Sequence, residues 1–116
     1  MAKSRIKTCL FNQTTKEEIK TDIIGIENEN KIIYFLEGKK VIWDKKRHIL
    51  KKQVGLNELI VISFDIENPI AYCKLNETKF YFDINIYKMK CENNKIEIDY
   101  KINDERITFE LESVIE

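Results

Sequence analysis

The residues of this chain that could do covalent chemistry are its single histidine, His48, and its three cysteines. A cysteine beside a histidine can act as a nucleophile, because the imidazole removes the proton from the thiol. Cys9, Cys73 and Cys91 are scattered along the chain, and no spacing ties any of them to His48. We therefore interpret His48 as a solvated histidine in a strand or a turn, and we predict no catalytic residues.

Metal and cofactor motifs are absent from the sequence. It contains no HExxH pair, no CxxC, no phosphate-binding glycine loop and no GxSxG nucleophile turn. The cysteines and the histidine are too few, and too far apart in sequence, for a metal site built on soft ligands. We predict that the protein is not an enzyme and that it uses no metal or other cofactor.

Carboxylates are plentiful in the C-terminal third, where Asp83, Glu97 and Asp99 alternate with apolar residues. General acid–base catalysis needs carboxylates that converge in a pocket. Alternation with apolar residues instead places side chains on the wet face of a strand. We expect these carboxylates to be exposed and to pair with charges across strands.

A basic run extends over Lys39–Lys52, with seven Lys or Arg against one Asp and with Trp43 inside it. Basic residues interleaved with an aromatic are one pattern of a surface for single-stranded nucleic acid or phosphate. The alternative interpretation is a charged hairpin that protects a strand edge. The predicted basic surface consists of Lys45, Lys46, Arg47, Lys51 and Lys52.

The bulk composition indicates one folded domain, residues 1–116, because 43% of the residues are hydrophobic and 34% are charged. Twenty basic residues balance twenty acidic residues, so no global field recruits a membrane or a polyanion. No apolar run is long enough for a membrane span. An odd, scattered set of cysteines is typical of reduced thiols, so we expect a cytoplasmic protein.

Apolar residues fall on every second position through most of the chain, most clearly over Thr78–Ser113, and this period of two indicates β-strands. Turn residues recur every 8–12 positions or so, which is the rhythm of a sandwich or a barrel. A possible helix cap at Thr15–Glu18 and a possible helical turn at Gly55–Glu58 lack apolar residues at helical spacing, so we predict no long helix. The predicted strands are Arg5–Asn12, Glu18–Glu27, Lys31–Leu36, Lys40–Trp43, His48–Gln53, Leu59–Ile66, Pro69–Leu75, Thr78–Met89, Lys95–Ile102 and Arg106–Val114.

Pairing of the last three strands follows from which residues must share the buried face. Ile102 opposite Ile107 would keep one apolar set together around a four-residue loop, and Ile84 opposite Ile102 would do the same for the preceding pair. Many strands with one wet face each leave two exposed edges unless the sheet closes. We predict an all-β, antiparallel up-and-down barrel of about eight to ten short strands, with a β-sandwich as the second choice.

Several motifs in this strand order resemble a known family. They are Ile24-Gly25, Ile33-Tyr34-Phe35-Leu36-Glu37, the segment Phe64…Asn68…Ala71-Tyr72, and Ile96-Glu97-Ile98-Asp99-Tyr100. The chain resembles the YwiB-like family of bacterial domains of unknown function, which have a calycin-like β-barrel of the lipocalin superfamily. It departs from the family in Lys52-Gln53-Val54-Gly55, where an Arg is missing, and in Asn76-Glu77, where the family tends to have a glycine. The resemblance implies a fold and transfers no activity.

The barrel interior is the remaining candidate site. Its predicted lining consists of Phe64, Tyr72, Phe80, Phe82, Tyr100 and Phe109. These large side chains either fill the barrel or line a slot for a small apolar ligand. Sequence leaves open whether Ala71 and Cys73 or the even-numbered positions beside them point inward. Our leading hypothesis is a non-enzymatic module that binds a small apolar ligand or a protein partner, and the alternative is nucleic-acid or phosphate contact through the basic hairpin 39–52.

Overall fold

The computed structural model describes all residues 1–116, which form eleven antiparallel strands and no helix. The strands are β1 (Ala2–Asn12), β2 (Glu18–Glu27), β3 (Lys31–Leu36), β4 (Lys39–Asp44), β5 (Ile49–Gly55), β6 (Glu58–Ser63), β7 (Ile70–Leu75), β8 (Thr78–Phe82), β9 (Ile84–Glu92), β10 (Lys95–Ile102) and β11 (Glu105–Ile115). The structure therefore contains no helix that could cross a membrane. The predicted all-β class is confirmed.

One sheet runs in the order β8-β7-β6-β5-β4-β3-β2-β1-β11-β10-β9 and forms a nearly closed barrel. The two outermost strands, β8 and β9, follow each other in the chain and are separated only by Asp83. The segment Thr78–Glu92 thus pairs first with β7 and then with β10, and it carries the chain from one edge of the sheet to the other. The break at Asp83 explains why eleven strands replace the predicted eight to ten.

Hairpin turns in this protein depend more on asparagine than on glycine. Four hairpins have an asparagine with positive φ, a conformation that asparagine tolerates better than most residues. These residues are Asn57, Asn76, Asn93 and Asn103. Only Gly38 supplies a glycine of positive φ, next to Glu37 with φ 52°.

The pairing of β9 with β10 is as predicted, because Ile84 lies opposite Ile102 and Ile86 opposite Tyr100. A bulge at Tyr87 then shifts the register by one residue. The prediction for β10 and β11 was wrong by two residues, since Ile107 pairs with Tyr100 and not with Ile102. Asn103 and Asp104 form a two-residue turn there, and a shift of two keeps the same side chains buried.

The core is a single apolar cluster inside the barrel. Trp43, Phe64 and Tyr100 form a chain of rings through it, with centroid distances of 6.2 Å between the first two and 5.0 Å between the last two. Gly25 lets β3 pack closely against β2, because a Cβ there would lie 2.5 Å from the carbonyl oxygen of Ile33. Large aromatic residues therefore occupy the centre of the barrel and hold its two sides together.

Candidate functional site

The two ends of the barrel differ in their composition. The end at the N-terminus carries the β4–β5 turn, with Lys45, Lys46, Arg47 and His48, near the β9–β10 turn. The other end carries the β3–β4, β5–β6 and β7–β8 turns. We call the first the Glu27 end, after a buried carboxylate described below, and the second the Phe80 end.

His48 and Cys91 border the same depression at the Glu27 end, which has a volume of about 260 Å³. His48 stacks on Trp43, with ring centroids 5.9 Å apart and planes 13° from parallel. Partial burial raises the pKa of the Cys91 thiol, and burial likewise raises the pKa values of Cys9 and Cys73, which lie elsewhere on the barrel. A raised pKa favours the neutral thiol over the nucleophilic thiolate. The arrangement therefore offers a stacked histidine and a protonated thiol, not an activated nucleophile.

The carboxylate Glu27, which the sequence analysis missed, is 1% exposed and points into the Glu27 end. Ser4 Oγ donates to Glu27 Oε1 at 2.5 Å, and Lys45 Nζ donates to Oε2 at 2.6 Å. Ser113 Oγ donates to the same Oε2 at 3.3 Å. Burial alone would raise the pKa of Glu27, but the three hydrogen bonds and the charge of Lys45 outweigh burial and lower it.

This network corrects the assignment of Lys45 to an open basic surface. Its side chain is 24% exposed, and its ammonium group also donates to the carbonyl oxygen of Asn28 at 2.7 Å. The sequence contains one indication that Glu27 is buried, because Glu27 lies two residues after Gly25 and therefore on the inward side of β2. Lys45 and Glu27 together join the β2–β3 and β4–β5 turns to the first and last strands.

Five ion pairs lie on the outer side of β9, β10, β11, β1 and β2, one of them at Asp99 as predicted. Arg106 donates from Nε and Nη2 to the two oxygens of Asp99, at 3.1 and 2.9 Å, and this lowers the pKa of Asp99. Arg5 contacts Asp22 in the same two-point manner. Three more ion pairs involve Lys20 with Glu18, Lys90 with Glu92, and Lys95 with Glu97. We call this side the paired face.

The predicted interior residues separate into three groups. Phe64, Tyr100 and Phe109 are buried in the core, and Phe82 packs against it. Phe80 points inward like Phe82, two residues further along β8, but it lies at the rim of the Phe80 end, where it is 53% exposed. The aromatic interior is thus mostly filled by its own side chains.

Tyr72 does not line the interior, which corrects its place in the predicted set. Ala71 is buried opposite Phe82, so the odd-numbered positions of β7 point inward and Tyr72 points outward. There it contacts Tyr81 on β8, with ring centroids 5.6 Å apart. This answers the question that the sequence left open.

The outer side of β3–β8 has a different character from the paired face. Cross-strand register aligns its side chains in rows, of which two form the middle of this surface, while a further row toward the Glu27 end contains Asp44. The first row is Ile33, Ile42, Lys51, Val61, Tyr72 and Tyr81. The second row is Phe35, Lys40, Gln53, Leu59, Lys74 and Lys79. Neither row contains a carboxylate. We call this surface the basic–aromatic face, defined by Phe35, Lys40, Lys51, Tyr72, Lys74, Lys79 and Tyr81.

None of the four lysines of the basic–aromatic face takes part in any of the six ion pairs of the protein. Lys40, Lys51 and Lys74 border a depression of about 650 Å³, whose apolar lining is Ile42 and Leu59. Glu58 and Glu77 lie in the same lining, at the turns of the Phe80 end. The face therefore combines unpaired positive charge with a concave surface.

The basic residues of the β4–β5 hairpin are divided between three places. Lys46 and Arg47 border a second depression of about 350 Å³ that also includes Asp44 and Lys51, so these two residues extend the basic–aromatic face beyond Lys51. Their backbone N–H groups, at Lys46 and Arg47, donate to Asp44 Oδ1. Lys52 lies opposite the buried Val41, on the inner side near the Phe80 end. Of the five residues of the predicted basic surface, Lys46, Arg47 and Lys51 thus lie together, whereas Lys45 and Lys52 lie elsewhere.

Comparison with known proteins gives one similar solved structure. No family model matches the chain, and no curated protein matches it. The crystal structure of the ywiB protein from Bacillus subtilis is similar over 97% of this chain and 90% of its own, with 14% sequence identity and a TM-score of 0.43.

Proposed function

We propose that this protein is a non-enzymatic binding module that contacts nucleic acid through its basic–aromatic face. The observation that carries this proposal is the pair of cross-strand rows with four unpaired lysines, exposed aromatic rings and no carboxylate. The net charge of the chain is zero, so the positive charge is local. A local basic patch on a sheet is a known form of nucleic-acid surface.

Phosphate contact at this face has a measurable electrostatic signature. Each lysine that neutralises a phosphate releases condensed counterions, so affinity falls as salt rises. Four such contacts on a single strand predict a slope of about −3 for log affinity against log salt. The affinity should then fall about 50-fold between roughly 50 and 200 mM salt.

The test is a titration of labelled oligonucleotide against three proteins over this salt range. The first is the natural chain, and the second carries Lys→Gln changes at Lys40, Lys51, Lys74 and Lys79. The third is a matched control with Lys→Gln changes at four lysines of the opposite side, Lys3, Lys7, Lys88 and Lys101. Both variants lose four positive charges, so they have the same net charge.

We expect the variant of the basic–aromatic face to lose most of its affinity and most of its salt slope, while the control keeps both. Equal loss in the two variants would mean that net charge alone drives binding. A flat salt dependence in the natural chain would exclude nucleic-acid contact.

One observation supports a second candidate function, which is binding of a small apolar ligand or a protein partner. Phe80 points toward the inside of the barrel yet is 53% exposed at the rim, opposite Cys73. An exposed aromatic at the mouth of a filled barrel can cover an apolar group. Binding of the neutral dye Nile red tests this. We expect Phe80→Ser to reduce it and Phe35→Ser to leave it unchanged, and the reverse order would remove the candidate.

We also propose that the barrel belongs to the calycin superfamily and comes from the bacterial cytoplasm. The up-and-down strand order and the three free cysteines support this proposal. A crystal structure and fractionation of the native host with an antibody would test it. A strand order unlike that of calycins, or recovery outside the cytoplasm, would contradict it.

A further inference from the structure

We infer that the nucleic acid bound at the basic–aromatic face is single-stranded, with unpaired bases stacked on Tyr81 and Phe35 and with phosphates held by the lysines between them. The inference rests on the proposed function, and it adds which form of nucleic acid binds and in what direction it lies. Its experiment is chosen so that the two can fail separately.

The two most exposed aromatic rings of the face lie at its two ends. Tyr81 on β8 is 66% exposed, and Phe35 on β3 is 58% exposed. Leaving such rings in water forgoes the burial that usually stabilises them. Every base has a π-face that can stack on an aromatic ring, but in a duplex these faces are covered by neighbouring base pairs. Only unpaired bases can therefore use both rings.

Tyr72 lies beside Tyr81 and packs against its ring. Lys79 Nζ lies 4.8 Å from the centroid of the Tyr72 ring, so one side of that ring is already covered. Tyr81 leans on Tyr72 with the ring planes 51° apart. This contact restricts the Tyr81 ring before any ligand binds, which lowers the entropic cost of stacking a base on it.

The lysines occupy the space between the two rings. Lys79 and Lys74 lie on β8 and β7, Lys51 on β5 and Lys40 on β4, and of β4–β8 only β6, with Val61 and Leu59 in the two rows, contributes no lysine. The depression of about 650 Å³ lies between the flanking rings, on β4–β7. A single strand laid across the sheet would place its backbone in this depression and bases at either end.

The distance between the rings sets the size of the bound segment. Phe35 and Tyr81 are separated by five strand spacings, and at about 4.8 Å each this gives roughly 24 Å along the surface. A stacked strand advances about 3.4 Å per nucleotide, and an extended one advances further. The bound segment should therefore contain about four to seven nucleotides, which is within the range of small single-strand modules.

The experiment measures fluorescence anisotropy at low salt with three labelled probes. These are an eight-nucleotide thymidine strand, a duplex of eight base pairs, and an eight-residue strand without bases. The proteins are the natural chain, Tyr81→Leu, the Lys→Gln variant of the four face lysines, and Tyr87→Leu as a control. Tyr87 is an exposed tyrosine on β9, outside the face.

We expect the natural chain to bind the thymidine strand at least 10-fold more tightly than the baseless strand or the duplex. Tyr81→Leu should weaken binding of the thymidine strand by about 5- to 150-fold and should leave binding of the baseless strand unchanged. Tyr87→Leu should have no effect on either.

Two results would overturn the inference. If the duplex binds as tightly as the single strand, and Tyr81→Leu changes nothing while the Lys→Gln variant loses affinity, the proposed function stands and base stacking is wrong. If no probe binds even at low salt, the proposed function and the inference are both wrong. A final test varies the length of the thymidine strand. Affinity should rise steeply up to about seven nucleotides and only slowly beyond that length.

Discussion

On the paired face, Arg106 contacts both oxygens of Asp99, and Arg5 does the same with Asp22. On the basic–aromatic face, Lys40, Lys51, Lys74 and Lys79 have no carboxylate partner. Both surfaces are outer sides of the same sheet. On both, the outward side chains alternate along each strand with side chains that point into the same core. The carboxylates of these pairs neutralise part of the positive charge on the first surface, although its Lys3, Lys7, Lys88 and Lys101 are also outside the ion pairs. The two rows of the second surface contain no carboxylate, so their positive charge remains available to a ligand.

A third group of charges, the buried network at the Glu27 end, shows which partners a carboxylate requires when water is excluded. A carboxylate that is 1% exposed is tolerable only because two hydroxyls and an ammonium group satisfy its oxygens. The charges of the protein thus form three groups, which are the buried network, the paired surface charges and the unpaired lysines. Substitutions in these three places should affect stability in that order.

The largest effect is expected from Lys45→Met, which leaves Glu27 buried without its cation. Breaking a buried ion pair costs about 3–5 kcal/mol, and the partial exposure of Lys45 places the loss at about 3 kcal/mol. Denaturant unfolding measures it. The neighbouring Lys46→Met is the control and should change the free energy of unfolding by less than about 0.5 kcal/mol. Equal effects would mean that the Glu27 network contributes no more than a surface charge.

Acid should destabilise the protein through the carboxylates that are paired. The pKa of Glu27 lies below its ordinary value of 4.5, and those of Asp22 and Asp99 lie below 3.8. A lowered pKa contributes stability that is present above the ordinary pKa and is lost as pH falls through the lowered one. We expect stability to be level near neutral pH and to fall below about pH 4.5. In Lys45→Met the acid loss should be smaller, and an unchanged acid profile would contradict the role of Glu27.

A smaller effect is expected from Arg106→Gln, which breaks an exposed pair on the paired face. Exposed ion pairs contribute little, although the two-point geometry with Asp99 favours a measurable loss. The thermal midpoint should fall slightly, and by less than in Lys45→Met. The matching change on the other face is Lys51→Gln, which breaks no pair and should leave the midpoint unchanged. A larger loss for Lys51→Gln than for Arg106→Gln would reverse the comparison.

Side-chain alternation allowed the sequence to predict which residues share a face, including the buried set of β9–β11. It could not detect the two-residue shift at Ile107, because that shift preserves alternation. It also could not place Lys51 in the same cross-strand row as Tyr72 and Tyr81, since that alignment depends on the register of β5 through β8. Glu27 was missed because a buried carboxylate becomes tolerable only when distant residues such as Ser113 and Lys45 reach it.

The most direct test of the central claim is a map of amide chemical shifts during titration with a short thymidine strand. The account predicts that the largest changes cluster on β3–β8, at and around Lys40, Lys51, Lys74 and Tyr81, and that they shrink as salt is raised. Residues of the paired face, such as Asp99 and Arg106, should hardly change. Changes centred on the paired face or on Phe80, with none at these lysines, would contradict it.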